Sequence, residues 1–467
     1  MIDILLINPS GTLSPWESKL GSRLPPLGLA SIASYLRLQG ISVNIMDACS
    51  LRLSTEEILE YIHKNPSRYI GITSTTFMIS SAGQLAEKIK AEFPGIITII
   101  GGPHVSALPE DTIKRFSSFD IGVYGEGENT LCEIVKKGKI DNNIKGIVFS
   151  DNGRIIKSEP REYISNLDEL PFPAYDLLPG YPSFYCPTPN NYLRLPVVSV
   201  ISSRGCPFLC SFCAQPVFGR KVRSCSVDYL ISHIKYLRSK YNIKEICFYD
   251  DIFLLHKDRV YEFIEKKAKN NLDVFWSCES RIDQVDAKIL KDMKKSGCWQ
   301  INFGIESGSQ RVLDYFNKRI TVGQIRETLA LTKKSNIRAR AYLIIGCRVE
   351  TVETLRETRK LMLSVPLDDI HITFLAPLPG SKAYKDVMGE EKDIDFQSIN
   401  QYLVSYVPPH LTREMLKNFM NRMYKDFYLN PRRLLRYFLM LFNGYKTMHL
   451  LKSFINFLKL TLGFSRK

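Results

Sequence analysis

Short runs of aliphatic residues recur through the first 150 positions, separated by stretches in which apolar residues fall three and four apart. Ile4-Leu5-Leu6-Ile7, Ser42–Met46, Tyr69–Ile72, Ile96–Ile100 and Ile121-Gly122-Val123 predict strands. Leu29–Gln39, Glu56–Lys64 and Ala82–Phe93 predict the helices between them. The runs are continuous rather than alternating with polar residues, which is the pattern of a parallel sheet covered on both faces. Such doubly wound sheets take ligands at the carboxyl ends of their strands. That end holds Asn8-Pro9, the loop Pro25-Pro26-Leu27-Gly28, Thr73-Ser74-Thr75-Thr76, Gly101-Gly102-Pro103-His104 and Gly125-Glu126-Gly127-Glu128. Asn152-Gly153, set between Ile147–Phe149 and Arg154–Ile156, predicts a tight hairpin.

Residues 157–195 are rich in Pro and Tyr and show little periodicity, which predicts an ordered linker. From Val197 the alternation resumes. Val197–Ser202, Glu245–Tyr249, Val274–Cys278, Gln300–Ile305, Ala339–Ile345 and Ile370–Phe374 predict strands. Val227–Tyr241, Arg259–Asn270, Ala287–Ser296, Val322–Ser335 and Val352–Ser364 predict the helices between them. Six such units describe a partial or full β/α barrel of the TIM type, with chemistry at the carboxyl ends of its strands. The expected fold class is therefore α/β: a doubly wound, Rossmann-like sheet over 1–150, hairpin and linker over 151–195, a barrel over 196–385 and a helical module over 386–467.

The composition of the 467 residues, 45% hydrophobic and 24% charged, is globular and excludes wholesale disorder. The net charge of +15 suggests an acidic partner until it is located. Residues 401–467 hold 12 Lys+Arg and 2 Asp+Glu, a net +10, which leaves +5 for the first 400. The charge belongs to a C-terminal module and not to a catalytic face, so nucleic acid is not the expected partner. In that module Leu416, Phe419, Met420, Met423 and Phe427 fall at helical spacing. Arg432–Phe438 and Leu450–Lys459 interleave basic and apolar residues, a pattern read either as membrane-surface contact or as helices packed on the barrel mouth. The N-terminus has no basic region before its apolar run and no window reaches bilayer-spanning length, so a cytoplasmic protein is expected, peripheral at the inner membrane surface if the tail binds lipid.

Eleven cysteines are scattered, as in a reduced protein, except for Cys206, Cys210 and Cys213 in Ser203-Arg204-Gly205-Cys206-Pro207-Phe208-Leu209-Cys210-Ser211-Phe212-Cys213. Three thiolates on one short loop suit three irons of a [4Fe–4S] cubane. Zinc would need a fourth ligand, and no second CxxC or HxxxH lies close in sequence.

This C-x3-C-x2-C loop, with Phe212 before its third cysteine and a barrel strand ahead of it, resembles the signature of the radical SAM enzymes. The resemblance implies that Cys206, Cys210 and Cys213 hold the cluster, whose open iron chelates S-adenosylmethionine (SAM), and that electron transfer cleaves SAM to a 5′-deoxyadenosyl radical. It extends to Gly304-Ile305-Glu306-Ser307-Gly308 and to Gly346 with Glu350-Thr351. Tyr249-Asp250-Asp251 stands where many members have Gly-Gly-Glu, a variant similar to the cobalamin-linked branch. The implied SAM contacts are Phe212, Asp250, Glu306, Ser307 and Gly346.

The first domain is similar to the cobalamin-binding domain found ahead of radical SAM barrels. By that resemblance Asn8, Pro26, Gly28, Ser74, Thr75, Gly102, His104, Gly125 and Glu126 line the cobalamin face, and His104 lines it without coordinating cobalt, since the D-x-H-x-x-G motif is absent. The implied activity is methylation of an unactivated carbon of a small-molecule or lipid-like metabolite, with an external one-electron reductant of flavodoxin or ferredoxin type. Ring-forming tetrapyrrole cyclases belong to the same group and remain an alternative. A methylthiotransferase would need three N-terminal cysteines where residues 1–150 have Cys49 and Cys132. An Fe–S or cobalamin sensor that binds nucleic acid is the non-enzymatic alternative.

Overall fold

A computed structural model describes residues 2–11, 22–389, 394–431 and 433. All the expected site residues fall within them, whereas most of Arg432–Phe438 and all of Leu450–Lys459 lie outside. Seven strands form the first sheet: β1 (Ile2–Asn8), β2 (Val43–Asp47), β3 (Ser67–Thr73), β4 (Ile97–Gly101), β5 (Ile121–Val123), β6 (Ile147–Asp151) and β7 (Arg154–Lys157), in the order β2-β1-β3-β4-β5-β6-β7. The first five are parallel. The Asn152-Gly153 hairpin adds β6 and β7 antiparallel at one edge, so it extends this sheet to Lys157 instead of opening the linker. Four successive residues of β1, Ile4 to Ile7, are buried, as a strand between two helical layers requires. The order in which strands are added reverses between β1 and β3, and ligands bind such sheets at that switch point.

The linker bonds to both neighbours. Ala174 N donates to Ala30 O at 2.9 Å, and the Tyr185 hydroxyl donates to Asp47 Oδ2 at 2.8 Å on the first-domain side. On the other side the Tyr175 hydroxyl lies 3.1 Å from His233 Nε2, and Phe172 stacks on the His233 ring. Its Pro and Tyr content is thus an interdomain filling, and one apolar cluster runs from Ile4 through Tyr175 to Trp276.

The second unit begins with β8 (Val197–Val200) and the short ribbon β9 (Ser203–Arg204) and β10 (Arg223–Ser224). It continues with β11 (Glu245–Phe248), β12 (Phe275–Ser280), β13 (Cys298–Glu306), β14 (Arg338–Ile345) and β15 (Asp369–Phe374). β8 and β11 to β15 form one parallel sheet in the order β15-β14-β13-β12-β11-β8, an open half-barrel of six strands. The helix Arg413–Tyr428 runs along the free edge of β15, burying Leu416, Met423 and Phe427. Its tyrosines satisfy that edge: Ile372 N donates to the Tyr424 hydroxyl at 2.9 Å, and the Tyr428 hydroxyl bonds Asp369. Among the described residues no helix is long and apolar enough to cross a membrane.

Because Tyr424 holds an edge amide that is otherwise unpaired in the sheet, Tyr424→Phe is expected to cost about 1–3 kcal/mol. Urea unfolding would show a lower midpoint with an unchanged slope, and an unchanged midpoint would refute the edge-sealing role.

Candidate functional site

The three cysteines sit in the loop that β9 and β10 pinch off at the carboxyl end of β8. Gly205, at φ +90°, starts the loop, and a Cβ there would meet Lys221 O at 2.6 Å, so only glycine fits the turn. The far side is fastened by Ser211 N to Phe316 O at 2.9 Å, Ala383 N to Ser211 O at 2.7 Å and Asn317 Nδ2 to Leu209 O at 2.9 Å. Phe212 packs edge-on against Phe316. Cys206 is buried, Cys210 and Cys213 are half-buried, and none is in a disulfide. Burial raises the Cys210 thiol against the pull of Lys318 and Arg281. Burial, reinforced by repulsion from Cys206 and Cys210, pushes Cys213 up to about 12. Three soft donors close enough to repel as thiolates fit a cluster whose irons neutralise them. Among the described residues no His, Cys, Asp or Glu trio converges on a single ion.

Around the loop the expected SAM contacts divide. Glu306 is held at φ +64° beside an irregularity in the β13–β14 register, a costly conformation of the kind kept at functional sites. Its Oε1 accepts from Lys318 Nζ at 2.7 Å, with both side chains buried. Gly346, at φ +90°, donates its amide to Glu350 Oε2, and burial pushes the Glu350 carboxyl up to about 7. Asp250 and Ser307 have internal partners. The Asp250 carboxylate accepts from Ser202 N and Ser202 Oγ at 2.5 and 2.6 Å. The Ser307 hydroxyl bonds Thr358 at 2.9 Å and caps Ser309 N. Asp251, the second carboxylate of the Tyr249-Asp250-Asp251 motif, and Glu306 are acidic neighbours whose charge reaches Cys213.

The first-domain face divides in the same way. A Cβ at Gly28 or Gly125 would meet nothing within 4 Å, so the backbone there borders open space. Thr75 Oγ1 is buried without a hydrogen-bond partner among the described residues. An open cradle with an unspent hydroxyl fits a large ligand at the strand ends. Pro26 opens the helix Leu27–Leu38 at this face, and Ser74 turns its hydroxyl onto Thr75 O. Asn8 Nδ2 donates to Asp47 Oδ1. Gly102 is packed, because a Cβ there would meet Ser74 O at 2.8 Å. Two expectations are corrected. His104 is fully buried, with its ring against Phe396 and its Nδ1 3.4 Å from Thr76 Oγ1; burial pulls it down to about 4, and it lines no open face. Glu126 is occupied by arginines of the second unit.

That contact joins the two domains. Glu126 Oε1 accepts from Arg204 Nη1 at 2.7 Å and Glu126 Oε2 from Arg223 Nη1 at 2.9 Å, while Glu128 Oε1 accepts from Arg204 Nη2 at 2.6 Å. All four groups are buried. Burial raises Glu128, but Arg204 outweighs it and holds the carboxyl below the usual range. Arg204 lies two residues before Cys206, so the clamp fixes the cysteine loop against the strand ends of the first sheet. The Gly-Glu-Gly-Glu and Ser-Arg-Gly-Cys motifs are each visible in sequence, but nothing linear pairs them.

The barrel interior supplies a chamber. Glu279, Tyr342 and His371 keep partial exposure while their outward neighbours Cys278, Leu343 and Ile372 are buried. Tyr249, just past β11, is likewise half-buried. Glu279 Oε1 accepts from Asn302 Nδ2 at 2.9 Å and from the Tyr342 hydroxyl at 3.1 Å. Burial pushes Glu279 up to about 7 against those bonds and Arg340. His371, edge-on to Tyr342, is pulled down to about 3 by burial and by Arg340, so it is uncharged.

Family models for the radical SAM superfamily and the B12 binding domain match residues 200–362 and 18–135. The chain is 33% identical over 447 residues to an uncharacterized methyltransferase of Pyrococcus horikoshii, covering 93% of this chain and 94% of that protein. It is 27% identical over 438 residues to an anaerobic magnesium-protoporphyrin IX monomethyl ester cyclase of Rubrivivax gelatinosus, covering 91% and 77%. The fold is similar to that of the cobalamin-dependent S-adenosylmethionine radical enzyme OxsB, with a TM-score of 0.74, 18% identity, and 97% of this chain and 72% of that one covered.

Removing one member of a buried ion network strands the others. Arg204→Met is therefore expected to destabilise by about 3–5 kcal/mol in urea unfolding. Arg204→Lys should recover only part, because one ammonium lacks the planar fork that reaches both carboxylates; wild-type stability in Arg204→Met would remove the clamp. Glu279 gives a separate pH signature. Its folded pKa is raised, so its contribution is complete below the unfolded value of about 4.3 and is lost as pH rises to about 7. Glu279→Gln should lose less stability than wild type between about pH 5 and about pH 7.5, and equal losses would show that the carboxyl is not held neutral.

Proposed function

The chain belongs to the cobalamin-binding radical SAM enzymes, and from that premise we propose that it transfers a methyl group to an unactivated carbon of a small organic or lipid-like metabolite. The observation that carries this reading is the clamp. Glu126 and Glu128 of the B12 domain grip Arg204 two residues before Cys206, which fixes the iron-binding loop beside the strand ends of the B12 domain. When bound, the cluster with SAM supplies hydrogen abstraction by a carbon radical, and cobalamin supplies a transferable methyl group.

The chain's own residues hold and place these groups. Cys206, Cys210 and Cys213 ligate iron, and Arg281, whose Nη1 is 3.8 Å from Cys210 Sγ, offsets the sulfur charge. Asp251 takes the SAM contact that the resemblance implied for Asp250, because the Asp250 oxygens are spent on Ser202. Glu306, fixed by Lys318, and the Gly346 turn border SAM from the ends of β13 and β14. Gly28, Thr75 and Gly125 border cobalamin. Glu279 and Tyr342 anchor a substrate hydroxyl or amine through lumen-facing oxygen atoms, and the buried layer outside each strand keeps out bulk water. The electron comes from a flavodoxin- or ferredoxin-type donor.

The test uses protein made anaerobically and assayed for iron, sulfide and cobalamin, followed by expression in cells supplied with methyl-deuterated methionine. A metabolite carrying the intact labelled methyl should appear with wild type and disappear with Cys213→Ala, whose iron content falls. An unlabelled cyclised or oxidised product would replace methylation by the ring-forming alternative, and protein that takes up iron but never cobalamin would overturn the two-cofactor reading.

A further inference from the structure

The helices Val352–Ser364 and Arg413–Tyr428 pack side by side on the outer wall of the barrel. Between them lies a cavity of about 610 Å³ lined by Arg356, Arg359, Lys360, Arg422, Leu363 and Phe419, with Ser364 at one end. Its floor is apolar and half-buried, and its rim holds four cations against two carboxylates. Asp426 Oδ2 takes Arg359 Nε at 2.6 Å and lies 3.8 Å from Arg422 Nε. Glu353 reaches Arg356 at 3.8 Å on the exposed surface. A further cation, Arg326, bonds Ser364 Oγ at 2.8 Å. No residue of the cysteine loop, the first-domain face or the chamber lines this groove.

Charge selects the occupant. Residues 432–467 carry eight Lys+Arg and no Asp or Glu, so the anion that matches the rim is not supplied by that segment. Guanidinium forks above an aromatic and aliphatic floor match a phosphate joined to an apolar body. We infer that this groove binds the phosphate headgroup of an anionic lipid, so that the barrel wall docks on a negatively charged bilayer surface. The basic tail supplies the second contact that stable peripheral binding needs. This inference is independent of the methyl-transfer reading.

The experiment floats the full-length holoenzyme with vesicles of phosphatidylcholine alone or mixed with phosphatidylglycerol. Wild type should rise only with the anionic vesicles and lose binding as salt increases. The triple variant Arg356→Glu, Lys360→Glu, Arg422→Glu should bind them at least about a hundredfold more weakly, since each surface cation is worth about a fivefold change in affinity. Its melting temperature and iron content should stay at wild-type values, which separates docking from misfolding. Arg356→Gln, Lys360→Gln, Arg422→Gln should give an intermediate loss. Undiminished vesicle binding by the Glu variant would overturn the inference by assigning all docking to the tail. Binding of glycerol 3-phosphate that the variant loses, without any vesicle binding by wild type, would overturn it in favour of a soluble phosphate ligand.

Discussion

The two cofactor-binding units are held in register by a buried arginine that two carboxylates share. Arg204 belongs to the strand that leads into the cysteine loop, and Glu126 and Glu128 stand at the start of the helix that follows β5. Buried ion networks seldom add net stability over an apolar replacement, but they tolerate one geometry only. A few ångströms of slip between the domains would leave charges buried and unpaired. The proposed methyl transfer would use that intolerance, because it sets one substrate carbon between cofactors that separate domains carry.

The rest of the architecture follows from the clamp. With the loop fixed, the half-barrel can stay open on the side that meets the first domain, and its remaining free edge is sealed by tyrosines of the helix Arg413–Tyr428. The chamber is lined with groups that burial keeps uncharged or nearly so, Glu279 near its titration point and His371 neutral. An interior of fixed dipoles and few free charges suits radical chemistry, which moves little charge and demands position above all.

The elements were legible because the β/α pattern is local. Continuous runs such as Ile4–Ile7 and Ile96–Ile100 name buried strands without reference to their neighbours, and the cysteine loop is a linear motif. Open backbone was legible at Gly28 and Gly125, where the glycine itself makes the surface. Side chains were misplaced where a distant partner decides their role. His104 is sealed by Phe396, almost three hundred positions away, and Glu126 is claimed by Arg204 and Arg223. Asp250 and Asp251 differ by one position just past β11, yet the first is bound by Ser202 while the charge of the second reaches Cys213. No linear spacing distinguishes the two.

The clamp also explains the charge distribution. Arg204, Arg223, Arg281 and Arg340 are all buried, and each is set against Glu126 or Glu128, Glu126, Asp283 and Asp369 respectively. Positive charge near the cofactors is therefore consumed by internal carboxylates and is not displayed toward a partner. An enzyme that bound a polyanion over its catalytic opening would need the reverse, free cations around the strand ends. Two thirds of the excess, +10 of +15, is carried by residues 401–467. A net charge of +15 is thus compatible with a neutral reaction chamber, and the anionic surface proposed for the barrel wall would meet the charge away from the mouth.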